Sequence, residues 1–206
     1  MAFVITVAQQ KGGTGKTTVA ANLAAALAQS HRVALLDIDP QRTLARWHQL
    51  RPARAAPLSF SDVSGWRLAA ELDRLKARHD FVVIDSPPQI DTDARLAIRG
   101  AGLVLIPVQP SPPDVWAAEG TLGLAAAEKR PAAVLLNRVP PTGKLRDTVA
   151  AQLRGEGKPL LAASIGNRAA FATAFADGLG VIESAPRSIA ANELRGLLSE
   201  LLEKIG

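Results

Sequence analysis

One short stretch near the start constrains this 206-residue chain more than any other. An apolar run, Phe3–Ala8, leads directly into Gln10-Lys11-Gly12-Gly13-Thr14-Gly15-Lys16-Thr17-Thr18, and then into an Ala- and Leu-rich stretch containing Asn22. Apolar residues on consecutive positions read as a buried strand. The glycines let the backbone curl so that successive N–H groups converge, and a following helix adds its positive end. A strand, a Gly-rich loop closed by Lys-Thr, and a helix together predict a phosphate loop. In such a loop Lys16 would reach the β- and γ-phosphates and the Thr17 hydroxyl would ligate Mg²⁺. The general pattern has glycine where this chain has Gln10; here Lys11 follows, and then two glycines. A plain Gly-rich turn between strand and helix is the alternative, and the Lys-Thr spacing argues against it.

The rest of the chain repeats the same alternation. Apolar runs at Val33–Leu36, Phe81–Ile84, Leu103–Val108, Val134–Leu136 and Leu160–Ile165 read as further strands. Helical patterns fall at 16–29, 41–50, 65–78, 115–129, 144–155, 168–177 and 188–204. Strands alternating with helices predict an α/β fold of the P-loop NTPase type: a mostly parallel twisted sheet with helices on both faces. No internal repeat or long Pro/Gly/Ser linker interrupts it, so residues 1–206 are expected to form one domain. Ligands of such sheets bind beyond the carboxyl ends of the strands.

Polar residues gather at those ends. Asp37-Ile38-Asp39-Pro40-Gln41 follows the second run. Carboxylates two residues apart at a strand end face the same crevice, where one can serve the Mg²⁺ shell and the other a water. Asp39 before Pro40 also reads as a helix N-cap. Phe81-Val82-Val83-Ile84-Asp85 is an apolar strand closed by an acid, a Walker B arrangement that places Asp85 near Mg²⁺. Pro107-Val108-Gln109-Pro110-Ser111-Pro112-Pro113-Asp114 reads equally as a rigid wall beside a ligand or as a strand-to-helix connection. Asn137-Arg138 at a strand end reads either as an adenine-recognising pair or as an Asn turn with a surface Arg.

Composition narrows the chemistry. The chain has no Cys, no Tyr and three His, which excludes disulfides, thiolate zinc sites, cysteine-held clusters and a catalytic thiol. The net charge of +5 concentrates in two zones. Residues 42–54 hold Arg42, Arg46, Arg51 and Arg54 with no acid, and residues 128–168 are strongly basic. Such zones suit a polyanion, and without interleaved aromatics phosphate-backbone contact is the better version. No run is long enough to span a membrane and no leader pattern is present, so a cytoplasmic protein is expected.

The run Lys11–Thr18 resembles the deviant Walker A loop of the ParA/MinD class of P-loop ATPases. Asp37–Gln41 and Phe81–Pro87 resemble the second motif and Walker B of that class. Ile106–Pro112 is similar to the proline-rich segment of its small plasmid-partition members, which lack an N-terminal DNA-binding extension. The resemblance implies an ATP- and Mg²⁺-dependent homodimer that sandwiches nucleotide between subunits. Gly12, Gly13, Thr14, Gly15, Lys16, Thr17 and Thr18 would bind the phosphates, with Asn137, Arg138 and Pro110 toward the base. Lys11 would act across the dimer on the partner's phosphates, Asp39 would position water, and Thr17, Asp37 and Asp85 would manage Mg²⁺.

The resemblance further implies slow hydrolysis stimulated by a ParB-like or centromere-binding partner, and sequence-independent DNA binding on the nucleoid. Arg168 is the first DNA candidate, followed by Lys144, Arg146 and Arg187. Plasmid or chromosome segregation is the expected output. Positioning of a protein cargo, such as chemoreceptor clusters or carboxysomes, is the alternative. A dethiobiotin synthetase-like ligase is the rival from another class. A MinD-like membrane helix is not expected. The apolar stripe Leu194, Leu197, Leu198, Leu201, Leu202 and Ile205 is accompanied by Glu193, Glu200 and Glu203, which anionic lipid would repel.

Overall fold

The computed structural model describes residues 1–89 and 91–205; Ile90 and Gly206 of the expected single domain lie outside the described residues. Seven strands form one parallel sheet: β1 (Phe3–Val7), β2 (Val33–Asp37), β3 (Ser59–Ser61), β4 (Phe81–Asp85), β5 (Leu103–Val108), β6 (Ala132–Val139) and β7 (Leu160–Gly166), in the order β3-β2-β4-β1-β5-β6-β7. The helices are α1 (Lys16–Leu27), α2 (Thr43–Gln49), α3 (Leu68–Arg78), α4 (Thr92–Gly100), α5 (Pro112–Ala127), α6 (Leu145–Gly155), α7 (Ala169–Ala176), α8 (Val181–Ser184) and α9 (Ile189–Ile205). This is the α/β architecture that the alternation predicts.

Strand alternation sends side chains into separate layers. Ile5, Val7, Leu35, Val83, Leu105 and Leu135 pack with α1, Trp47 and α9 on one face. On the other face, Val4, Leu36, Val82 and Ile84 meet α3 and α4, while Val104, Ile106, Val134 and Leu136 meet α5 and α6. Because both faces are covered, the central strands need no polar alternation, which is why they read as continuous apolar runs. α1 is buried nearly throughout, and its alanines allow close approach. A Cβ at Gly180 would come within 2.7 Å of the Ala25 Cβ.

Several local expectations change. The helix predicted over 41–50 begins at Thr43, and Asp39 does not cap it. Instead Asp39 Oδ1 accepts from the Gln41 N–H at 2.9 Å and its carbonyl accepts from Arg42 N–H, closing a turn. The cap comes from Asp37, whose Oδ2 accepts from Ala45 N–H at 3.0 Å. Strand β6 runs to Val139, so Asn137 and Arg138 lie within the strand rather than beyond it. Arg138 takes a positive φ of 52° there. The prolines do not delay α5, because Pro112 and Pro113 occupy its first turn, where no N–H donor is needed. The edge strand β3 and helices α4 and α8 have no counterpart in the sequence-based reading.

α9 packs on the core through Ala190, Ala191, Leu194, Leu197 and Leu201. Its acids have specific partners on the edge strand. Glu200 accepts from the Ala162 and Ala163 N–H groups at 2.9 and 2.8 Å, and Glu193 accepts from Gly166 N–H at 3.1 Å. These carboxylates cover edge donors that another strand would otherwise pair with. No helix among the described residues is long and apolar enough to cross a membrane.

Candidate functional site

The phosphate loop joins the end of β1 to the start of α1, at the carboxyl edge of the sheet. Gly13 and Gly15 have φ values of 80° and 90°, in the left-handed region that glycine tolerates best. Gly15 is doubly constrained, because a Cβ there would stand 2.6 Å from Asn137 Nδ2. Gly12 and Gly13 are exposed, while Thr14 is buried. Lys16 is only 7% exposed, and burial lowers its ammonium pKa while nearby Asp85 and Asp39 oppose that shift. Its Nζ points back to the Lys11 carbonyl at 3.4 Å. An ammonium held inside a loop in this way is poised for a phosphate oxygen.

Two acids close the floor of the site. Asp37 and Asp85 are register partners at the ends of β2 and β4. Neither Asp85 oxygen has a hydrogen-bond partner among the described residues, although both are fully buried. Burial chiefly pushes its carboxyl up to about 8; Asp37 adds to the shift, while Thr17 and Lys16 pull against it. Burial also raises Asp37, and the Asp39 and Ala45 N–H groups it accepts partly counter the effect. Asp39 itself is half-buried at the rim.

The orphaned Asp85 oxygens beside a threonine hydroxyl suit a hard divalent cation. Among the described residues no group of three or more His, Cys, Asp or Glu side chains surrounds one point. Protein oxygens would therefore supply only part of the shell, with phosphate and water supplying the rest, which is the usual situation for Mg²⁺.

The loop is also clamped from outside. Asn137 Nδ2 donates to the Thr14 carbonyl at 2.7 Å. The Gly13 carbonyl accepts from Arg138 at 3.0 Å and from the Gln109 amide at 3.1 Å. Asn137 and Arg138, expected at a base, thus hold the loop, and they also line a cavity of about 350 Å³. Thr18, Asn167 and Phe171 line the same cavity; Pro110 does not. Gln109 carried no signal beyond its place in the proline run.

Lys11 is ion-paired with Asp114 in the first turn of α5. Asp114 stands three residues after Ser111, a spacing that signals a helix start rather than a lysine partner. The basic zones are partly engaged within the chain. Arg51 pairs with Glu183, both almost fully buried, and Arg42 pairs with Asp62. Arg168 donates to Glu193 through Nε and Nη2 at 3.0 and 2.6 Å. Lys144, Arg146 and Arg187 are exposed, and no ion pair is found for them among the described residues.

Comparison with known proteins identifies a nucleotide-binding family and the same fold. The family described as the CobQ/CobB/MinD/ParA nucleotide binding domain matches residues 5–181. The "Maintenance of carboxysome distribution protein A" of Halothiobacillus neapolitanus is 34% identical over 216 residues, covering 98% of this chain and 97% of that protein. The "Chromosome-partitioning ATPase Soj" of Thermus thermophilus is 30% identical, covering 98% and 96%. In fold, the chain is similar to a putative plasmid partition protein of Borrelia burgdorferi solved with AMPPNP, with a TM-score of 0.82 at 18% identity, covering 99% and 100%.

Proposed function

We propose a function from one premise: the chain belongs to the CobQ/CobB/MinD/ParA family of nucleotide-binding domains. On our reading it is a positioning ATPase that dimerises around ATP and hydrolyses it slowly until a partner protein stimulates it. The observation that carries this is the pairing of two lysines on one loop. Lys16 is buried within its own site, whereas the Lys11 side chain is 39% exposed beside the open Gly12 and Gly13, with its ammonium against Asp114. An exposed lysine there can meet the phosphates of a facing subunit, where its charge would offset charge developing in the transition state.

The remaining roles follow from position. The loop N–H groups, Lys16 and Thr18 would bind phosphate. Thr17 and Asp85 would hold Mg²⁺, which supplies neutralisation of phosphate charge, and Asp37 would shape that end of the site through its two backbone contacts. Asp39, at the rim, would orient the attacking water. The cavity beside Asn137 and Arg138 would take the nucleoside. Asn137 Oδ1, for which no hydrogen bond is found among the described residues, would accept from a base amine while Nδ2 holds the loop.

The cargo reading moves toward a protein body. Full-length similarity to a carboxysome distribution protein favours a particle of that kind, with chromosome or plasmid segregation as the second reading, supported by the similarity to Soj. Both outputs would use the nucleoid as a track, with Lys144, Arg146 and Arg187 as the exposed phosphate contacts. Retention on DNA of arbitrary sequence tests this. It should require ATP and fall steeply with salt; equal retention with ATP, with ADP and without nucleotide would overturn the reading.

A further inference from the structure

Lys11 is not free on its open face. Its ammonium is paired with Asp114 Oδ2, and the Ser111 hydroxyl donates to the same oxygen. Asp114 is 1% exposed, and its Oδ1 has no partner among the described residues. This carboxylate therefore depends on Lys11 as its counter-charge. Withdrawing the lysine leaves a buried anion with one hydroxyl and the first turn of α5 to stabilise it, which is unfavourable. The lysine cannot serve Asp114 and a distant phosphate at once.

We infer that Asp114 is the positioning residue for Lys11: it holds the lysine inside its own subunit, and its strength sets how much ATP is needed before the lysine crosses. This rests on the reading of Lys11 as the group that acts across the dimer. In energetic terms, ATP binding must outcompete an internal ion pair, so the pair lowers the population of the dimer-competent state. Ser111 tunes the balance. By donating to the shared oxygen it disperses the charge of Asp114 and weakens its hold on Lys11.

Two substitutions therefore act in opposite directions. Asp114→Asn keeps the shape and removes the charge, so half-maximal dimerisation should need roughly tenfold less ATP, equivalent to ~1.4 kcal/mol. Among the described residues, Ser111→Ala leaves Lys11 as the one donor to that oxygen, so dimerisation should need several-fold more ATP. Simple damage to α5 would move both variants the same way. A second readout needs no nucleotide. Acylation of Lys11 by an amine-reactive ester, followed by mass spectrometry, should quicken in Asp114→Asn and slow in Ser111→Ala, with Lys16 as the internal control.

Sedimentation velocity across an ATP titration, run beside this labelling, is the test. Opposite shifts in both readouts support the inference. Unchanged dimerisation in Asp114→Asn overturns it even if labelling rises, and so do shifts of the same sign in both variants. If Lys11→Ala dimerises like the parent protein, the reading of Lys11 across the dimer fails, and this inference fails with it. If Lys11→Ala loses the dimer while Asp114→Asn changes nothing, only the inference fails.

Discussion

The side-chain amide of Asn137 donates a 2.7 Å hydrogen bond to the carbonyl of Thr14, so strand β6 holds the phosphate loop from a position 123 residues away. The contact also explains why residue 15 is glycine, since a Cβ there would collide with the same amide. Asn137→Ala should weaken ATP binding roughly tenfold, the scale of a lost buried hydrogen bond. Gly15→Ala should cost more, roughly 1–3 kcal/mol from the left-handed backbone alone. Isothermal titration of each variant with ATP and Mg²⁺ checks both; unchanged affinity in Asn137→Ala would show that the loop holds its shape unaided.

Asp37 ties the site to the start of α2. Removing its carboxylate in Asp37→Ala leaves the Asp39 and Ala45 N–H groups without acceptors. We expect a loss of about 1–2 kcal/mol, or roughly 2–4 °C in melting temperature per kcal/mol for a domain of this size. Asp37→Asn keeps one carbonyl acceptor and should lose less. Equal losses in thermal melts of the two would mean that the charge of Asp37, not its capping, is what matters.

Asp85 gives the protein a pH signature. Its folded carboxyl is raised by burial to about 8 from an ordinary 3.8. Between those values the folded state binds the proton that the unfolded state has released. Its contribution to stability is therefore full below pH ~4 and is lost as the pH rises toward ~8. Glu71 and Asp80 are shifted the other way by Arg74 and Arg32, so their contributions are lost only in strong acid. Without nucleotide or Mg²⁺, the melting temperature should decline from pH 5 to pH 8, and Asp85→Asn should flatten that decline. An identical slope in the variant would exclude Asp85 as its source.

Much of this was legible from the residues alone, for physical reasons. Buried parallel strands are apolar throughout, so Phe81–Ile84 and Leu103–Val108 announced themselves, and the phosphate loop is a local pattern of glycines and Lys-Thr. Strand β3 was hidden because it is three residues at the sheet edge, Ser59-Phe60-Ser61, with only its last residue buried. Helix α4 buries only Ala94, Ala97 and Ile98, too few to show a stripe beside its charged residues. The pairings that modify the site were out of reach. Asp37 with Ala45, Lys11 with Asp114 and Arg168 with Glu193 depend on how elements dock, and nothing in the local sequence points to them.

Arg168, held by Glu193, is a poor probe of a DNA face. Reversing Arg168 would set a new carboxylate beside Glu193, so a loss of function there would not isolate DNA contact. The exposed Lys144 and Arg146 are cleaner probes. Converting both to Glu should reduce ATP-dependent DNA retention without affecting ATP binding. It should also reduce the slope of log affinity against log salt by about 0.9 for each phosphate that is no longer neutralised. An unchanged salt slope would place the DNA face elsewhere.

Lys11 has its proposed role only if ATP joins two copies of this chain through it. Sedimentation velocity with Mg²⁺ and ATP, beside ADP and the Lys11→Ala variant, measures that directly. The predicted result is a dimer boundary with ATP alone, a monomer with ADP, and a variant that binds ATP but stays monomeric. A monomer in ATP for the parent protein, or a Lys11→Ala variant that dimerises as readily as the parent, would contradict it.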